Sequence, residues 1–139
     1  MKTMRTFTCL GLLILMQACS TSKDLNRLYG QNWELEYLSG PRIAFEGLYP
    51  NRKPQLRFLS TGMVEGNDSC NGYSAPFTLD GNTISFGEPG PATMMYCGEG
   101  EKFFRKTMAQ VDGFEIDAEG KLNLTLKGIP MMRFHKTGD

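Results

Sequence analysis

Apolar residues recur at every second position through much of the chain between residues 33 and 134. That alternation predicts short strands with one dry face. Trp33, Leu35 and Tyr37 alternate with Glu34 and Glu36, and Ser39-Gly40-Pro41 ends the run. Residues 41–53 carry no clear period and read as a long loop. Gln55 to Leu59 alternates again, Ser60-Thr61-Gly62 turns the chain, and Met63 to Gly66 returns. Asn67 to Gly72 is polar. Tyr73 to Leu79 is a further strand, and Pro76, which cannot donate to a ladder, places it at an edge or bulge. Asp80-Gly81-Asn82 is a tight-hairpin signal, because Asp-Gly tolerates the positive φ such turns require. It leads into Thr83 to Phe86. Towards the C-terminus Phe114 and Ile116 alternate with acidic neighbours. Leu122, Leu124 and Leu126 face one way, Asn123 and Thr125 the other. Met132 and Phe134 complete a last strand.

The period changes once. Phe104, Met108 and Val111 recur at spacings of four and three, among polar Lys102, Arg105, Lys106 and Gln110. This predicts one amphipathic helix over 99–112, stopped by Gly113. Thr93 to Cys97, just before it, is short and apolar. The expected class is α+β, mainly β: an antiparallel curled sheet or small barrel of seven to eight strands, with one covering helix.

The first residues follow a different logic. Lys2 and Arg5 give a positive start, Phe7 to Met16 is almost wholly apolar, and Ala18 is small. That is the layout of a secretory signal peptide. The apolar run is about ten residues, whereas a membrane span needs roughly twenty. Leu15-Met16-Gln17-Ala18-Cys19 resembles the lipobox of bacterial lipoproteins. The resemblance implies removal of residues 1–18, lipid on the Cys19 thiol and acylation of the new amine. Each buried methylene contributes ~0.8 kcal/mol, and two or more chains give stable attachment. Residues 19–28 are then a lipidated polar tether, and 29–136 the domain. Ser20 after the lipidated residue implies the outer membrane of the bacterial envelope.

Without the leader about 120 residues remain, enough for one domain with a core of its own. The whole chain carries 15 basic and 15 acidic residues. Lys2 and Arg5 leave with the leader, so the mature chain is slightly acidic. That gives no electrostatic case for nucleic acid or for a polybasic membrane patch. Of four cysteines, Cys9 leaves with the leader and Cys19 takes lipid. Cys70 and Cys97 remain in an oxidising compartment, where a pair is usually a disulfide. Two free buried thiols are the alternative. A bridge would close a loop of about 26 residues and contribute ~3.5 kcal/mol by loop-closure entropy. A catalytic thiol needs a base, and the one histidine, His135, stands near the C-terminus. Cys-x-x-Cys and His-x-x-x-His spacings are lacking, which argues against structural zinc.

Two motifs carry a wider resemblance. Gly66-Asn67-Asp68-Ser69-Cys70-Asn71-Gly72-Tyr73 resembles the Gly-x-x-Gly-Cys-Asn-x-Tyr hallmark of the META domain, or HslJ-like, family. Thr93-Met94-Met95-Tyr96-Cys97 resembles that family's Thr-x-Met-x-Cys segment, and Glu99 to Phe103 stands where the family has Glu-x-x-Phe. The resemblance covers about residues 29–136, and its motif residues here are Asn71, Thr93 and Met95. Ser69 departs from the usual glycine before the first cysteine. The resemblance implies a small β-rich fold with one helix and a secreted or outer-membrane location, often as a lipoprotein. It sometimes goes with stress tolerance or motility, and it implies no defined reaction.

Individual residues allow competing readings. Asn71 could contact a ligand, or its amide could cap backbone groups in a tight turn. Met94, Met95, Met131, Met132 and His135 are soft-metal donors. Adjacent strand residues point to opposite faces, so each Met pair offers one ligand to a single site, and methionine also fills core gaps. Asp68, Asp80 and Asp117, with Asn67 and Asn82, lie in separate turns without calcium-loop spacing. The expectation is no metal, no cofactor and no enzymatic activity. The chain then reads as a monomeric envelope lipoprotein, held to the membrane through Cys19 and acting through an envelope protein partner in envelope integrity or stress tolerance. The alternative is a carrier of a small apolar ligand or acyl chain, similar to secretin-pilot lipoproteins, with a cleft lined by Phe86, Phe104, Met108 and Phe114.

Overall fold

The computed structural model describes residues 19–138, with side chains from Asp24 onward. The leader (1–18) and the Cys19 side chain lie outside the described residues. Among the described residues there are three helices: α1 (Cys19–Leu28), α2 (Phe45–Leu48) and α3 (Gly100–Met108). Eight strands are β1 (Trp33–Leu38), β2 (Gln55–Phe58), β3 (Met63–Asn67), β4 (Gly72–Asp80), β5 (Thr83–Phe86), β6 (Gly113–Ile116), β7 (Leu122–Leu126) and β8 (Ile129–Lys136). Each strand pairs antiparallel with the next, and β8 returns to pair with β1, closing a barrel. Of the two expected forms the structure takes the barrel, which leaves no open sheet edge.

The alternation explains the register. Leu56, Phe58, Val64, Ile84, Phe114, Leu122, Leu124, Met132 and Phe134 point inward and are buried. Leu35 pairs with Phe134, and Leu124 with Met132. Tyr37 breaks the expected period. A bulge between Leu35 and Tyr37 turns it outward, 45% exposed, and Leu38 takes the inward place. Asn123 and Thr125 were expected on a wet outer face, yet both are buried. The Asn123 amide donates to Asp117 Oδ2 at 3.3 Å and accepts from Arg133 Nε at 2.9 Å.

The barrel is closed at both ends. Residues 19–28, read as a polar tether, form α1. Leu28 enters the core, Leu25 packs against it, and the Leu28 carbonyl accepts from the Trp33 indole at 3.1 Å. This plugs the end where β1 begins and β2 and β6 finish. At the other end β5 and β6 share only the pair Thr83 and Gly113, so the strands diverge. Helix α3 fills that gap with Phe104 and Met108. It stops earlier than the apolar spacing predicted. Val111 is still buried, but its N–H reaches Thr107 in the closing turn beyond the helix. The region read as a long loop contains α2, whose Leu48 and Tyr49 are buried against α3. Gly100 is needed there: a Cβ would stand 2.5 Å from the Leu48 carbonyl and 2.6 Å from the Tyr49 ring. Thr93 to Cys97 forms no strand and runs as an irregular exposed segment.

Candidate functional site

The turn between β3 and β4 lies at the α3 end of the barrel. Asp68 organises it. Its side chain is 0% exposed. Asp68 Oδ1 accepts the N–H groups of Asn71 at 2.8 Å and Cys70 at 3.3 Å, and the Asn71 carbonyl accepts from the Asp68 N–H at 3.0 Å. Asn67 Oδ1 accepts from the Ser69 N–H at 3.1 Å. Ser69 has φ 92°, a conformation glycine reaches at little cost. The serine therefore holds, with some strain, a backbone shape that suits glycine better.

Helix α3 supplies the counter-charge. Arg105 donates to Asp68 Oδ2 through Nε at 2.7 Å, and its Nη2 forms ion pairs with the same oxygen at 2.6 Å and with Glu101 Oε1 at 3.2 Å. Two carboxylates thus share one guanidinium. Burial, then the Asp68 charge, raises the Glu101 pKa, against the lowering pull of Arg105. Tyr49 Oη donates to the Gly100 carbonyl at 2.9 Å, and burial raises its pKa. The Tyr73 hydroxyl is buried, has no hydrogen-bond partner among the described residues, and is also raised by desolvation.

The Asn71 amide is not the group that caps its own turn. Asp68 caps the turn, and the Asn71 amide reaches across to the loop before α3. Its Oδ1 accepts from the Met95 N–H at 2.9 Å, and its Nδ2 donates to the Met95 carbonyl at 2.8 Å and to Glu101 Oε2 at 3.1 Å. The side-chain amide thus mimics one rung of a sheet. Cys70 and Cys97 form a disulfide with Cα atoms 5.8 Å apart, which fastens the same loop a second time. At and beside these two fixings, Met94, Met95 and Tyr96 are 84%, 62% and 80% exposed. With Lys102 and Arg105 they line an open surface groove of about 370 Å³. Thr93, the third motif residue, is exposed beside them.

The expected cleft is assembled only in part. Phe86, Phe104 and Met108 line a cavity of about 60 Å³ together with Tyr73 and Arg105. Phe114 is buried in the barrel and is not among the lining residues. A cavity of roughly 150 Å³ admits benzene, so this one has no room for an acyl chain. The soft-metal set is divided. Met94 and Met95 project from the loop, Met132 is buried in the barrel, and His135 faces Glu36 at 3.5 Å and Glu34 at 3.9 Å on the barrel wall. The acidic turn residues are occupied locally: Asp68 holds Arg105, and Asp117 Oδ1 accepts from Lys121 N at 2.9 Å and Glu119 N at 3.0 Å. These bonds, the Lys121 N–H first, lower the Asp117 pKa. Sequence reasoning did not assign Arg105, Glu101 or Tyr49. Glu101 and Arg105 stand four apart on one helix face, which is a visible pairing signal, but their partner Asp68 is 37 residues from Arg105.

A small closed antiparallel barrel, with a helix packed at each end and a doubly fastened loop, defines the class. The sequence pattern of the META domain matches residues 24–138, and the chain belongs to that family. The match begins inside α1, consistent with the burial of Leu28. A solved structure of a protein from Burkholderia xenovorans, determined by NMR, is similar in fold, with a TM-score of 0.61 and 22% identity over 82% of this chain and 86% of that one. No curated protein matches the chain.

Proposed function

We propose that this META domain is a non-catalytic module of the bacterial outer membrane, anchored by lipid on Cys19, that works by protein contact through the Met94–Met95–Tyr96 segment in envelope integrity or stress tolerance. The observation that carries the contact reading is that segment's exposure on a backbone held at Met95 and at Cys97. A preorganised loop loses little backbone entropy when it is covered, and aromatic residues and methionine are enriched in interface cores. The carrier alternative is disfavoured by the 60 Å³ cavity.

Two measurements test this reading. Cys19→Ala should move the protein from the membrane to the soluble fraction, and intact mass of the wild type should show acyl chains. A photo-crosslinking residue at position 94, in intact envelopes, should join one discrete protein, whereas the same probe at position 57 on the barrel wall should not. An unlipidated mature chain would refute the anchor, and equal labelling from both positions would refute the contact site.

A further inference from the structure

Six methionines lie among the described residues, and the fold divides them by exposure. Met132 points into the barrel at 0% and Met108, the last residue of α3, is buried at 7%, while Met63 and Met131 are half-buried. Met94 and Met95 are 84% and 62% exposed, and they are adjacent. Their exposure is built in. The Met95 N–H and carbonyl are both taken up by Asn71, at 2.9 and 2.8 Å, so the backbone cannot turn to bury either thioether without breaking two hydrogen bonds. The nearby cysteines are in a disulfide, so the thioethers are the reduced sulfur atoms that the loop presents.

We propose that Met94 and Met95 are an oxidative modification site whose conversion to sulfoxide switches the exposed loop from apolar to polar while the barrel stays folded. A peroxide is the oxidant. The thioether sulfur lone pair attacks one peroxide oxygen, the O–O bond breaks, and the second oxygen leaves as water after proton transfer. Sulfur gains one oxygen and is oxidised by two electrons, and the peroxide is reduced by the same two. Susceptibility follows exposure, and the sulfoxide is polar and enzymatically reversible. The change falls on side chains that contribute little to the core, so stability should hold. As regulation of a contact surface this rests on the reading proposed above; the oxygen transfer itself does not.

The test treats the folded full chain with dilute hydrogen peroxide and follows each methionine by peptide mass spectrometry. Met94 and Met95 should oxidise roughly tenfold faster than Met108 and Met132, as their exposure requires. The thermal midpoint should stay unchanged, and retention on a hydrophobic-interaction column should fall. Methionine sulfoxide reductases should restore retention. The double variant Met94→Leu, Met95→Leu should keep its retention under peroxide, and Met94→Gln, Met95→Gln should lose it without oxidant. Equal oxidation of Met132, a lowered thermal midpoint at the stage when only Met94 and Met95 are modified, or unaltered retention would each overturn the proposal. Column retention does not depend on a partner, so failure here is distinguishable from failure of the contact reading.

Discussion

At the end of the barrel where β1 begins, Leu28, Trp33 and Phe58 are sealed together, and one indole-to-carbonyl bond orients the plug. At the opposite rim, α3 is seated by a charged side chain as well as by Phe104: Arg105 is held by Asp68 and Glu101. The first closure rests on burial, which is non-directional and roughly proportional to area. The second adds geometry. A guanidinium bound to a buried carboxylate accepts only a narrow range of helix positions, and through Asp68 and Asn71 that position is transmitted to the turn and the exposed loop. The comparison teaches that the apolar wall supplies stability, whereas the polar rim decides where one surface segment stands.

The sharpest way to break this contrast is to weaken each region in turn. Phe134→Ala empties a fully buried site on the wall and should cost about 4 kcal/mol, read as a lower urea midpoint, with the loop's protection from proteolysis changed only as much as global stability dictates. Asp68→Ala should cost about 3 kcal/mol, because it leaves Arg105 without its closest partner and the turn uncapped. It should also expose residues 93–98 to protease well below the unfolding midpoint, which Phe134→Ala should not do. If both variants open the loop only on global unfolding, the rim has no separate role.

A gentler probe uses pH. The Glu101 pKa is raised in the folded chain above its ordinary 4.5. The folded state therefore holds the proton more tightly, and this group's contribution to stability should fall as pH rises from 4.5 through the folded pKa. Asp117 has the opposite sign: its depressed pKa stabilises above the ordinary 3.8 and is lost as pH falls further. Glu101→Gln should flatten the stability profile above pH 4.5 and leave the acid limb intact. Denaturation midpoints across pH measure both. The smallest expected effect is at Ser69, where glycine should relieve the positive φ and raise stability by about 0.5 kcal/mol, the strain removed being partly offset by greater freedom in the unfolded chain.

The barrel wall was legible because one face of each strand is dry, and a period of two survives any uncertainty in the loops. Its exceptions have local causes. Tyr37 follows a bulge, and Asn123 is covered by Asp117 and Arg133, neither of which a period records. Helix α1 escaped notice because its contribution to the core is confined to Leu25 and Leu28 in a polar stretch, too few to display a repeat. Helix α2 spans four residues, less than a recognisable pattern. At the rim, Cys70, Asn71, Met95 and Cys97 were marked by their motifs and the Cys70–Cys97 bridge was expected, but the Asn71–Met95 bonds span 24 residues of chain and no local rule encodes them. Arg105 read as one more wet helix residue because the carboxylate that claims it sits in another turn.

The pairing of β8 with β1 has a consequence for how the chain reaches this state. Leu35 waits for Phe134, and Trp33 for Lys136. A chain delivered from its N-terminus therefore holds its earliest strand with an unclaimed edge until nearly all the rest has arrived. Such sequence-distant contacts slow folding, and an open edge invites pairing with neighbouring chains. A nascent chain stalled before residue 129 would be a barrel with its seam undone, and a natural client for a chaperone.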